Sequence, residues 1–222
     1  MALRICGNVV NDPMGMWREY AEKHGRTVRK YDHGDRGDPN ALTTEEAWRS
    51  TIIGSRLRYT ERDEVVARAA SAPWTELAAD VDLADADPTV PGGTFASAAC
   101  LYWTFTWPDR IRGVRVAKAH KILHIKRPRF YPILDDHIRR LYRPCALPWL
   151  DRLSHLKGMT AEDSPLYWAA FRDDLIRNQN AIDGYRTHLA DDDDETVRLM
   201  ATLTSVRLQD IIAWAIAPGP RA

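Results

Sequence analysis

Two adjacent carboxylates, Asp135 and Asp136, lie near the end of the most cationic stretch of the chain. Between Asp109 and Arg143 there are eleven basic residues against three acids, although over the whole chain 31 basic and 31 acidic residues cancel. Positive charge concentrated in this way builds a local field that attracts anions. A carboxylate at its edge is the group that stabilises a developing positive charge or orients a water. The same two acids also suit a plain helix start, since Asp is a favoured N-cap and its charge matches the helix dipole. His120 and His124, four apart, have the spacing of a shared metal site. No carboxylate completes a motif such as HExxH, so they read as a solvent- or phosphate-contacting pair with no metal and no cofactor. Cys6, Cys100 and Cys145 are odd in number and far apart, which predicts neither a disulfide framework nor a CxxC metal site and suits a reducing cytosol.

The rest of the sequence must position these groups. At 222 residues with 45% apolar and 28% charged side chains, the chain has an ordinary globular composition and enough length for a real core. No apolar run approaches the roughly 20 residues needed to span a bilayer. The opening MALRICGNVV is read as carrying no signal peptide, so the expectation is a cytoplasmic protein with no membrane partner. P-loop, Rossmann, GxSxG and EF-hand patterns are missing.

Apolar periodicity predicts a mainly α fold, a compact multi-helix array in a single domain over residues 1–222. Residues 1–42 form an N-terminal arm and helix, 43–143 a helical core, and 144–222 C-terminal helices that pack on it. In the first part, 3–10 is a strand or irregular arm, a helix runs from Pro13 to near Gly25, and 27–31 is extended. Thr43-x-x-Glu46 is a capping box opening a helix whose apolar stripe includes Trp48, Ile52 and Leu57. Further helices are expected over 62–70, 74–81, 94–107, 116–125 and 149–156. Another opens at residues 133–136, and long ones cover 166–189 and 195–216. Residues 94–107 are apolar nearly all round and read as the buried central helix, so Tyr102, Trp103, Phe105 and Trp107 read as core. Pro144 and Pro148 are expected to break the chain.

Gly113-Val114, followed by Ala119 and Ile122-Leu123, resembles the helix–hairpin–helix of the DNA glycosylase superfamily that bears that name. Downstream, Pro132-Ile133-Leu134-Asp135 with Asp136-His137-Ile138-Arg139-Arg140 is similar to the segment carrying the catalytic Asp of the adenine-mismatch branch. The chain also resembles an uncharacterised family of actinobacterial proteins with a Lys-Arg-Pro…Pro-Ile-x-Asp signature. The glycosylase resemblance implies a helix-hairpin-helix-like element whose turn presents backbone amides to a phosphate of duplex DNA or another phosphate-bearing ligand. It assigns Asp135 as the catalytic residue facing a flipped nucleotide. Gly113, Val114 and Arg115 contact the phosphate, and Lys118, Lys126, Arg127 and Arg129 extend the anion-binding track. Arg112 and Arg115 replace the motif's Pro and second Gly. Ala117 takes the place of the nucleophilic Lys of bifunctional members, which implies a monofunctional enzyme. The lost Pro and Gly also fit a non-catalytic, partner-binding descendant of the fold, and the basic loop fits an enzyme acting on a small anionic substrate.

Overall fold

The computed structural model describes residues 1–106, 111–156 and 158–219. Helix of all kinds, ten α-helices with short 3₁₀ and π turns, accounts for 61% and strand for only 3% among the described residues, so the mainly α class is as expected. The first residues form an antiparallel hairpin, β1 (Leu3–Ile5) and β2 (Asn8–Val10), with Leu3 opposite Val10. Cys6 and Gly7 make its turn, both in the left-handed region. Helix α1 (Pro13–Thr27) starts on an Asp12 cap with Pro at its first position. Residues Val28–Asp32 continue it as a π-helical turn where an extended segment was expected. Burial of Val28, Tyr31 and Asp32 against the body of the protein decides the matter over local preference.

The Thr43–Glu46 capping box is present and opens α2 (Thr44–Arg49). A 3₁₀ turn (Ser50–Ile53) ended by left-handed Gly54 leads to α3 (Tyr59–Ala69). Only Trp74–Glu76 is helical in the next predicted segment, held by the Trp74 indole N–H donating to the Ala69 carbonyl at 2.8 Å. Then come α4 (Thr94–Thr106), α5 (Val116–Lys126), α6 (Asp136–Ala146), α7 (Trp149–Arg152) and the 27-residue α8 (Ser164–Ala190). Helix α6 runs through Pro144, which was expected to break it. Pro144 is exposed, so water can take the carbonyl its missing N–H leaves free. The expected terminal helix is two, α9 (Glu195–Met200) and α10 (Ser205–Ile216), because Thr204 accepts the Arg207 amide and caps a fresh start.

The spine of the core is α8, against which α6, α7, α9, α10 and β1 pack. Helix α4 supplies one wall and is not the central helix: Phe95, Leu101, Tyr102 and Phe105 face inward while Cys100 is exposed and Trp103 half-buried. Trp107 lies outside the described residues. Trp168 on α8 is ringed by Phe95, Tyr102, His120, Phe130 and Tyr131 at 5.2–6.0 Å between ring centres. Cys6 and Cys145 are joined in a disulfide, which corrects the reading that no cysteine pair exists. The hairpin turn carries Cys6 to the end of α6, a juxtaposition invisible in a separation of 139 residues.

Candidate functional site

Asp135 caps α6. Its Oδ1 accepts the amides of His137 and Ile138, both at 2.9 Å. Its Oδ2 has no hydrogen-bond partner among the described residues, and the side chain is half-buried. Capping therefore uses one oxygen and leaves the other. Asp135 also lines a cavity of about 260 Å³ between α1, the 50–53 turn, α5, α6 and α10. Tyr20, His24 and Trp214 give it an aromatic wall, with the His24 and Trp214 rings edge to face at 5.4 Å. Ile52, Ile53, Ile133, Ile138 and Ile211 give it apolar ones. Asp136, the neighbouring acid, is exposed and lies outside the lining.

The polar floor of the cavity is a buried ionic network. Arg207 donates through Nε to Asp32 at 2.8 Å, through Nη1 to Asp210 at 2.6 Å and through Nη2 to the Tyr20 hydroxyl at 2.7 Å. One guanidinium faces two buried carboxylates, so it neutralises only one of them. Burial pushes the Asp210 carboxyl up to about 7 against the pull of Arg207, with Asp135 adding to the rise, and Asp32 is raised for the same primary reason. Asp210 also accepts the Ile133 amide at 3.1 Å, which fixes the segment leading into Asp135. On α5, the Lys121 ammonium donates to the Ile53 carbonyl at 2.8 Å. Burial lowers its pKa, and attraction from Asp135 and Asp210 opposes that.

The basic residues expected to form one anion-binding track are dispersed. Lys126 is buried and donates to the Arg36 carbonyl at 2.6 Å, the Asp38 carbonyl at 3.0 Å and the Glu46 carboxylate. Arg127 is fully buried and spends its donors on the carbonyls of Leu77, Pro39, Lys126 and Trp74 and on Asn40. Both are structural ties between the 36–40 loop and the core, which corrects their assignment as anion contacts. Cations buried this deeply must find acceptors, here the carbonyls of that loop, and no sequence pattern announces which. Arg129 is half-exposed and paired with Asp82 at 3.2 Å.

Gly113 takes φ +92°, and Val114 behind it is buried. Gly113 is also the point of close approach of Glu61 and Arg58. A Cβ there would collide with the Glu61 carboxylate and lie 2.7 Å from the Arg58 guanidinium. Lys118 donates to Glu61 at 2.6 Å, and the Arg58 amide does so at 2.9 Å. Burial alone would raise the Glu61 carboxyl; these hydrogen bonds outweigh it and bring it down to about 2. The chain's own carboxylate thus stands beside the turn. Arg115 caps α5 with its backbone and, like Arg112, is exposed with no side-chain partner among the described residues. The approach to this turn through residues 107–110 lies outside the described set.

His120 and His124 are buried, not solvent- or phosphate-contacting as expected. His120 Nε2 accepts the Trp168 indole N–H at 2.8 Å, so its Nδ1–H donates to the Val116 carbonyl. His124 Nδ1 bonds to the Tyr131 carbonyl at 2.7 Å. Burial lowers both to about 3 and keeps them neutral. Among the described residues no group of three or more His, Cys, Asp or Glu side chains has a metal-holding arrangement, and no helix is long and apolar enough to cross a membrane.

Sequence reasoning missed Tyr20, His24, Arg207, Asp210 and Trp214. The available signal was Arg207 and Asp210, the two charged residues of α10, three apart beside its apolar stripe; charges at such positions need partners inside.

Fold and cavity together define a mainly α protein with one candidate carboxylate on the wall of an aromatic pocket. Residues 64–217 match DUF6308, a family of unknown function, and the chain belongs to that family. The match includes Asp135, Lys121, Arg207 and Asp210, whereas Tyr20, His24 and Asp32 lie before it. No curated protein and no solved structure matches the chain.

Proposed function

We propose that this protein binds nucleic acid and hydrolyses an N-glycosidic bond, with Asp135 as the catalytic carboxylate. The observation that carries the reading is Asp135 itself: one oxygen caps α6, the other has no hydrogen-bond partner among the described residues, and the residue lines a cavity with aromatic and apolar sides. A base taken out of its stack is held by such walls. As the bond to the sugar lengthens, positive charge grows on the sugar, and the Asp135 carboxylate stabilises it or orients the attacking water. The base leaves with the bonding electrons and takes a proton, and water adds its oxygen to the sugar carbon. Arg115, exposed beside the Gly113 turn, is the backbone-phosphate contact of this reading, with Arg129 at the periphery. Val114 is buried with its amide on the Ile111 carbonyl, and Lys118 is held by Glu61. Ala117 stands where bifunctional members carry their nucleophilic amine, and the Lys121 amine on the cavity wall is engaged by the Ile53 carbonyl, which supports the monofunctional form of this reading.

The test is incubation with labelled duplexes carrying adenine mismatches, followed by hot alkali to cut at abasic sites. Cleavage in wild-type samples, absent with Asp135→Asn, is the expected result. Binding measured alongside should weaken steeply with salt. No binding to mismatched or abasic duplex at low salt would end this proposal.

The Lys121 ammonium on the cavity wall favours a second reading, an enzyme for a small anionic substrate. Glu61, beside the Gly113 turn, disfavours a duplex phosphate there. Under this reading, calorimetry detects binding of a nucleoside monophosphate while duplexes do not bind.

A further inference from the structure

The segment 48–62 runs from the cavity wall at Ile52 and Ile53 to the Gly113 turn, and it carries an aromatic stack that the core does not use. Tyr59, the first residue of α3, is 66% exposed. Its ring lies on that of half-buried Trp48 at 5.0 Å and 20° between planes. The Arg62 guanidinium flanks the stack, 5.6 Å from the Trp48 ring centre and 5.1 Å from that of Tyr59, and is itself tied to Asp63. Neither aromatic ring belongs to a hydrophobic cluster of the core. The loop just before Tyr59 buries Ser55 and Leu57 and presents Arg56 and Arg58 outward. Arg56 takes a left-handed backbone (φ +45°), a conformation uncommon for a residue with a side chain. Arg58 lies against Gly113, beyond which Arg112 and Arg115 are exposed. An exposed ring stack bordered by guanidinium groups combines the two elements that bind unpaired nucleotides, a π face for the base and cations for the backbone.

We propose that Tyr59, backed by Trp48, stacks on an unpaired base of a nucleic-acid strand, so that the protein prefers single-stranded or gapped segments over intact duplex. This rests on the nucleic-acid reading above and adds the form of strand recognised. Stacking of one base on an aromatic ring corresponds to roughly a 5- to 150-fold change in affinity on replacement by Ala.

Fluorescence polarisation with a labelled single-stranded 12-mer and a blunt duplex of the same sequence tests it. Wild type should bind the single strand more tightly and quench Trp fluorescence on doing so. Tyr59→Ala should lose about tenfold on the single strand and little on the duplex, while Tyr59→Phe keeps wild-type affinity. Equal weakening on both probes, no weakening on either, or a change of oligomeric state in Tyr59→Ala would overturn the stacking role. If wild type binds the duplex but Tyr59→Ala behaves as wild type, only the stacking proposal falls. If wild type binds neither probe at low salt, the nucleic-acid reading falls with it.

Discussion

Replacing Asp135 separates its two roles, because Asn and Ala remove different things. Asn keeps a side-chain oxygen, so both 2.9 Å bonds to the amides of His137 and Ile138 can survive. What Asn loses is the charge at the helix start, about 0.3–1 kcal/mol. For a domain of this size that corresponds to a melting-temperature drop of about 1–4 °C. Part of this is returned, since the Asp135 charge adds to the upward push on Asp210 and its removal relieves that strain. Ala removes the cap as well, at about 0.5–2 kcal/mol, or roughly 1–8 °C. A carboxylate acting on the reacting bond contributes about 10²–10⁴-fold to rate. The expected outcome is therefore Asn near wild type in a thermal melt, yet as inactive as Ala in the alkali-cleavage assay. The refuting result is an Asn variant that cleaves at the wild-type rate. Asp135 would then be a cap alone, and Ala would lose activity only as far as it loses folded protein.

Arg127→Met should be the most damaging of the basic-residue substitutions, because it strands the buried carbonyls of Leu77 and Trp74 and releases that of Pro39. A loss of about 3–5 kcal/mol is expected, read as a reduced urea midpoint; a surface-like change under 0.5 kcal/mol would contradict the burial. Asp210 contributes stability that is fully present below its unfolded pKa of 3.8 and is lost as pH rises through about 7. Asp210→Asn should remove that alkaline-going decline, so wild-type and variant melting temperatures converge or cross between pH 4 and 7; parallel profiles would show that Asp210 does not titrate there. His120 and His124 act in the opposite direction. Neutral down to about 3 in the fold, they contribute stability above pH 6.5 that is lost as pH falls towards 3. Thiol titration under denaturing conditions should find one free group, Cys100, before reduction and three after. Cys145→Ser should cost up to about 5 kcal/mol on the chain-entropy account for so long a loop; three titratable thiols without reductant would refute the pairing.

Much of the helical order was legible because its signals are local. The Thr43–Glu46 box, Pro13 and the apolar periodicity of α5, α8 and α10 are written within one or two turns of chain. The failures came where a distant partner decided the outcome. Pro144 stays in α6 on an exposed face, and 28–32 is helical because Val28, Tyr31 and Asp32 are buried. Asp135 was identifiable from its neighbours, and the cavity beside it was not. Tyr20, Asp32, Arg207 and Asp210 come from opposite ends of the chain and meet only when α1 and α10 pack together.

Charge shows the division most clearly. The sequence by itself determined that residues 109–143 carry an excess of positive charge and that Asp135 follows Gly113 at a set distance. Only the tertiary structure decided where each charge goes. It turned Lys126 and Arg127 inward to satisfy backbone carbonyls, engaged Lys118 with Glu61, and left Arg112 and Arg115 facing solvent. The physical reason is that a cation's partner is chosen by proximity in space and by the cost of leaving a buried carbonyl or carboxylate unpaired. Spacing along the chain encodes neither of these.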